Sequence, residues 1–143
     1  VLVVGKGPAE SWFAEQVPNA VFAGFQAGTD LGRAVASMDM LFNPSVTETF
    51  GNVTLEAMAC AVPVVAAMAT GSSSLVEHGV TGRLVPPEDI NGFADALQAY
   101  CEDRDLADND GLAGEALSHA YSWDAINQKV VDKYLEVVAR RGK

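Results

Sequence analysis

The chain has 143 residues, 49% of them hydrophobic, with charges scattered along it; that is enough to bury a core as one domain and excludes a disordered segment. Nine Lys and Arg stand against nineteen Asp and Glu, a formal charge of −10, which argues against nucleic acid or an anionic lipid surface as partner, because both demand basic patches. No apolar run reaches the ~18 residues that span a bilayer, and neither the cysteines (Cys60, Cys101) nor the histidines (His78, His119) stand at metal-ligand spacing.

The cysteines read as free thiols of a reducing compartment, the histidines as surface or helix-end residues. The chain opens directly on the β-branched run Val1–Val4, without initiator Met, basic leader or cleavage site, and so reads as a piece of a longer protein. That run predicts a buried strand ending at Gly5. A helix is expected over 8–17, with Pro8 at its first position. A second strand follows over 19–24, then a helix through residues 31–38 capped by Thr29 or Asp30. A third strand over 38–44 is cut off by Pro44. After the loop Ser45–Phe50 comes a helix over about 51–60, a fourth strand over 63–67, and a short helix over 72–79 closed by Gly79. A fifth strand over 82–86 stops at Pro86-Pro87. From about 88 to 143 the chain is expected to be helical: 88–103, 112–121 and 122–140. In the last of these, Ile126, Val130, Val131, Tyr134, Leu135 and Val138 form one apolar stripe.

Mostly apolar strands alternating with helices predict an α/β, Rossmann-like parallel sheet with helices on both faces, followed by C-terminal helices. Ligands of such sheets bind outside the carboxyl ends of the strands, which singles out the strand-exit loops. The first, Gly5-Lys6-Gly7-Pro8, begins like a dinucleotide fingerprint but has Glu10 where the third glycine belongs, and Pro8 removes an amide. A tight strand-to-helix turn is the better reading.

The stretch 47–59, TETFGNVTLEAMA, is more informative. Gly51 and Asn52 open a helix whose free amides and dipole favour an anion such as phosphate. Glu48 lies in the loop before that start and Glu56 within the helix, the only charge between Gly51 and Ala66. Two carboxylates flanking an anion site suit a ligand with phosphate in the middle and hydroxyls at both ends; each charge-assisted hydrogen bond contributes about 1.5–3 kcal/mol. The alternative is that Glu48 is solvated and Glu56 pairs with a Lys or Arg elsewhere, and the residues alone leave both open.

The segment ETFGNVTLEAMACAVPVVA, 48–66, resembles the donor half of the retaining GT-B glycosyltransferases, the large family-four, group 1 set that includes sucrose-phosphate synthases and many mannosyltransferases. The family pattern is two glutamates with seven residues between them, Phe-Gly after the first and Ala-Met-Ala after the second. Glu48, Phe50, Gly51, Glu56, Ala57, Met58, Ala59, Pro63 and Val64 match it, and VLVVGKGP, VFAGF, GVTGRLVPPED and Ser122-Trp123 extend the likeness over essentially the whole chain. The resemblance implies that residues 1–143 form a nucleotide-sugar donor-binding domain. Glu56 would hold the ribose hydroxyls. Glu48 would be the catalytic-site carboxylate, holding the transferred sugar near its anomeric carbon. Backbone amides of Phe50, Gly51, Asn52 and Val53 would lie along the diphosphate, with Thr49 also donor-binding and the Gly24-Phe25 turn near the base. It further implies a UDP- or GDP-sugar as substrate, no cofactor or metal, and a glycan or lipid acceptor held by an N-terminal domain outside this sequence. It implies a cytoplasmic place, with any membrane contact made through that other part. A GT-B sugar-nucleotide epimerase and an inactive regulatory or scaffold domain are the alternatives.

Three departures qualify the match. Ala61 stands where the family has Gly at the end of the Glu56 helix, and Ser74 where it has a carboxylate in the next loop. The family's diphosphate-neutralising Arg and Lys precede Val1, and Lys6 matches neither.

Overall fold

The computed structural model describes residues 1–141; Gly142 and Lys143, the end of the expected domain, lie outside the described residues. The strands are β1 (Leu2–Val4), β2 (Val21–Gly24), β3 (Leu41–Asn43), β4 (Val64–Ala67) and β5 (Gly82–Val85). The helices are α1 (Glu10–Gln16), α2 (Gly28–Ala36), α3 (Asn52–Ala59), α4 (Thr70–Leu75), α5 (Ile90–Glu102), α6 (Arg104–Ser118) and α7 (Trp123–Arg141), with a 3-10 turn at His119–Tyr121. All the strand pairs are parallel, as the alternation of strands and helices requires. The α/β class expected from the sequence is what the chain adopts. The single sheet is not: β1 pairs only with β2, and β3-β4-β5 form a separate sheet. Among the described residues β1 and β3 each keep one edge without a strand partner.

The core sits around β4. Successive side chains of a strand point to opposite faces, and β4 shows this cleanly. Val64 and Ala66 join Val35, Ala57, Met58, Leu75 and Leu84 on one face, while Val65 and Ala67 join Val85, Phe93, Tyr100 and Ala107 on the other. Burying one such valine stabilises the fold by about 1.5–3 kcal/mol. Helix α6 crosses α3 closely because it presents glycines: a Cβ at Gly111 would collide with the Ala61 carbonyl oxygen, and one at Gly114 would touch the Met58 side chain. The tail helices are tied to the sheet by a buried polar cluster. Arg83 of β5 pairs with Asp110 of α6 at 3.1 Å, and the Tyr100 hydroxyl of α5 donates to the same carboxylate at 2.6 Å. Burial, together with the hydrogen bond and charge of Asp110, pushes the Tyr100 hydroxyl well above its ordinary pKa, against the pull of Arg83.

Several boundaries differ from expectation. Pro8 lies in a turn, and α1 begins at Glu10 after Ala9. Neither Thr29 nor Asp30 caps α2, which starts at Gly28 with extended Ala27 before it, so both fall inside its first turn. Helix α4 runs over 70–75 rather than 72–79. It stops because Val76 is extended, and the next amide, Glu77 N–H, donates to the Thr81 hydroxyl at 2.8 Å. Gly79 (φ 83°) serves the tight turn that follows, donating its N–H to Gly82. Helix α6 starts eight residues before the expected Leu112, because the Asp103 side chain accepts from Leu106 N–H and caps it. Asp89 caps α5 in the same way. The α7 stripe is present but uncovered: no residue of that helix is buried, and Tyr134 is 70% exposed. Among the described residues no helix is long and apolar enough to cross a membrane.

Candidate functional site

The site grows out of the turn between β3 and α3. Asn43, the last residue of β3, is buried and turns both its amide ends to structural use. Its nitrogen donates to the Thr54 hydroxyl at 3.3 Å, and its oxygen accepts from Ser45 N–H at 3.2 Å. It thereby fixes the first turn of α3 relative to the loop that leaves the strand. The chain then runs through Ser45–Phe50 and enters α3 at Gly51, which sits in the left-handed region (φ 95°). Glycine is required there twice over: the conformation strains an L residue, and a Cβ would lie 3.2 Å from the Leu75 side chain.

No side chain caps α3. Its first intrahelical bond is Leu55 N–H to Gly51 carbonyl at 3.0 Å, so the amides of Asn52, Val53 and Thr54 have no partner within the helix. Glu56 is exposed and makes no hydrogen bond or ion pair among the described residues. Cation pairing, the alternative left open by the sequence, is therefore not realised. Helix α3 reads as apolar because Thr54, Ala57 and Met58 form its buried face, while Asn52, Val53, Glu56 and Ala59 share the exposed one. Helical side chains lean toward the N-terminus, so Glu56 tilts toward the open amide end.

Glu48 is half-buried in the loop. Its carbonyl accepts from Gly71 N–H at 3.1 Å and from the Thr70 hydroxyl at 3.3 Å. Phe50 meets the Tyr121 ring edge-on, centroids 6.0 Å apart. Thus Glu48, Thr49, Phe50, Gly51, Asn52 and Val53 form one continuous turn, with Glu56 on the same side of α3. Gly24 (φ 67°) and Phe25, 69% exposed, stand instead at the end of β2. No hydrogen bond or aromatic contact among the described residues joins them to the Glu48 loop. Lys6 does reach Gly24: its Cε would lie 3.6 Å from a Cβ there.

The departures at Ala61 and Ser74 have a local account. Helix α3 ends with Ala61 at φ 54°, its N–H bonded to the Met58 carbonyl, while Val62 N–H bonds to Ala57. That is the two-bond helix end usually built on glycine, kept with alanine in its place. The Ser74 hydroxyl donates to the Gly71 carbonyl at 2.7 Å, one turn back in its own helix. The sequence reading missed Asn43, Thr54, Gly71 and Tyr121. The Thr70-Gly71 pair following an apolar strand was the visible signal for close backbone approach. His78 accepts from Leu84 N–H at 2.9 Å and His119 lies beside Glu115 at the surface. Among the described residues no three His, Cys, Asp or Glu side chains gather as metal ligands would.

The model of the glycosyl transferases group 1 family matches residues 1–103. The chain belongs to the group 1 glycosyltransferases. It is 30% identical over 143 residues to a GDP-mannose-dependent alpha-mannosyltransferase of Corynebacterium glutamicum, an alignment covering 97% of this chain and 34% of that protein. Sucrose-phosphate synthase from Thermosynechococcus elongatus superposes with a TM-score of 0.83 at 29% identity, covering 97% of this chain and 38% of the other. HepE of Anabaena, solved with UDP and glucose, gives 0.79 at 29% identity over 94% of this chain and 40% of its own. These neighbours are GT-B glycosyltransferases, and the chain spans about a third of the length of such relatives.

Proposed function

We propose that this domain binds the nucleotide-sugar donor, a UDP- or GDP-sugar, of a retaining hexosyltransferase. The observation that carries the reading is the exposed, unpaired Glu56 leaning toward the uncapped amides of α3, with Glu48 on the loop just before them. The ribose hydroxyls donate to Glu56 and the diphosphate lies along the amides of Gly51 to Val53. Glu48 accepts from the sugar hydroxyls, and Gly24-Phe25 flank the base. Relatives that use GDP-mannose or are solved with UDP support a diphosphate-linked donor.

In the transfer, the acceptor hydroxyl attacks the anomeric carbon from the face the leaving group departs, and the diphosphate takes its proton as the glycosidic bond to phosphate breaks. The new bond keeps the original configuration. Catalysis then rests on positioning and on stabilising charge at the leaving phosphate, which the amides and dipole of α3 supply. The reading calls on no metal. The acceptor, a glycan or lipid, binds outside this chain in a partner domain, so the chain alone is expected to be inactive. A cytoplasmic place follows from where nucleotide sugars are made.

A ligand-observed NMR titration with UDP, GDP, ADP and NAD, on wild type and on Glu56→Ala, tests the site. One nucleoside diphosphate should bind, NAD should not, and the variant should weaken binding by about tenfold or more, one charge-assisted bond. Binding that survives the loss of Glu56 refutes the assignment.

A further inference from the structure

We propose that Gly71 and Tyr121 are positioning residues that set the sugar end of the site, independently of the ribose end. The inference rests on the donor reading above. Helix α4 grips the Glu48–Phe50 loop at both of its own ends. At its start, Gly71 N–H and the Thr70 hydroxyl both donate to the Glu48 carbonyl. Gly71 is buried, and a Cβ there would lie 2.8 Å from the Glu48 Cβ, 3.0 Å from its carbonyl oxygen and 3.0 Å from the Phe50 carbonyl carbon. These atoms belong to backbone or its first side-chain carbon, so they cannot swing aside as the end of a long side chain would. At the other end of α4, the Ser74 carbonyl accepts from the Tyr121 hydroxyl at 3.3 Å, and the Tyr121 ring braces Phe50.

Glu56 takes no part in either grip. Its helix is held by Asn43 at Thr54 and by Ala57 and Met58 in the core. Leu75 of α4 lies in that core and Tyr121 packs against it, but the hydrogen bonds from Thr70 and Gly71 and the ring contact of Tyr121 act on residues 48–50, so loosening these grips should move Glu48 more than Glu56.

The test measures Kd for UDP and UDP-glucose, or for GDP and GDP-mannose, whichever nucleotide the chain binds. The readout is the ratio of the nucleotide-sugar Kd to the nucleotide Kd. Gly71→Ala and Tyr121→Leu should raise that ratio about tenfold with nucleotide affinity within about twofold of wild type, as Glu48→Gln should. Tyr121→Phe, which loses only the bond to Ser74, should give the same shift in smaller measure. Amide resonances shifted by Tyr121→Leu should cluster at residues 47–51. An unchanged ratio in the folded variants, or equal losses for nucleotide and nucleotide-sugar, overturns the positioning role. If Gly71→Ala does not fold, the Tyr121 variants decide. If wild type binds no nucleotide, or Glu48→Gln leaves the ratio unchanged, the donor reading itself has failed and takes this one with it; that failure shows in the controls rather than in the α4 variants.

Discussion

Strands β1 and β4 are written in nearly the same alphabet, Leu-Val-Val and Val-Val-Ala-Ala, yet they live in different surroundings. β4 has a strand on each edge and helices over each face, and all four of its residues are buried. β1 has one neighbour, and its partner β2 leaves Val21 64% exposed. The helix beside them, α1, buries nothing and contributes chiefly the edge-on Phe13–Phe22 contact at 6.0 Å. A β-branched run predicts a strand because the pleated conformation suits it; whether the strand is buried depends on what lies across its faces. The contrast bears on function. The Glu48–Glu56 turn rises from the closed half, whereas Gly24-Phe25 rise from the open one. One end of the proposed donor site thus stands on a buried core and the other on a two-stranded ribbon.

The severest way to break the closed half is at its polar cluster. Asp110→Ala leaves Arg83, nearly buried, without its counter-charge and the Tyr100 hydroxyl without an acceptor. Removing one partner of a buried pair costs about 3–5 kcal/mol. Urea denaturation should show a loss of that size, and a change below about 1 kcal/mol would mean the cluster is wetter than its geometry implies.

Next come paired truncations, one in each half. Met58 is fully buried, so Met58→Ala should cost about 2–5 kcal/mol. Leu2 is 36% exposed, and Leu2→Ala should cost clearly less, about 1 kcal/mol. The difference between the two denaturation midpoints measures how unequal the halves are. Equal costs would show that β1 is as well supported as the closed core around Met58, against the burial of the two residues.

The sequence made the strand-helix alternation legible because period and punctuation are local properties. All five strands fall within the short runs read as strands, four of them closed by Gly or Pro, and α3 lies where Gly51 and the apolar face place it. What stayed hidden was non-local. The split between β2 and β3 depends on which edges meet. The reach of Asp103 as a cap was masked by the charged stretch around it, and the length of α4 was decided by Thr81, six residues past its end. The same division holds at the site. The spacing of Glu48 and Glu56 drew attention to the turn, but Glu56 seemed buried among apolar neighbours until helical periodicity put it with Asn52 and Val53. Tyr121 could not have been assigned from sequence, since it reaches Phe50 from 71 residues away along the chain.

The smallest effect sharpens the comparison through backbone alone. A residue with a left-handed backbone ends a regular element in each half: Gly24 (φ 67°), the last residue of β2, and Ala61 (φ 54°), just past α3. The first is glycine in the open half, the second alanine in the closed half, and exchanging them tests both. An L side chain in this region costs about 1 kcal/mol more than glycine. At Gly24 an added Cβ meets only the Lys6 stem at an ordinary 3.6 Å, so Gly24→Ala should lose about 1 kcal/mol with no steric addition. At Ala61 the reverse change, Ala61→Gly, should gain somewhat less than that, about 0.5 kcal/mol, because glycine also frees the unfolded chain. The helix end should stay as it is, since both of its hydrogen bonds run through backbone atoms. The sign at Ala61 is the informative part. Stabilisation would mean that the alanine is strained and α3 carries that strain directly beneath Glu56. Destabilisation would mean that its methyl packs well enough to outweigh the backbone, and that the closed half has accommodated the substitution fully.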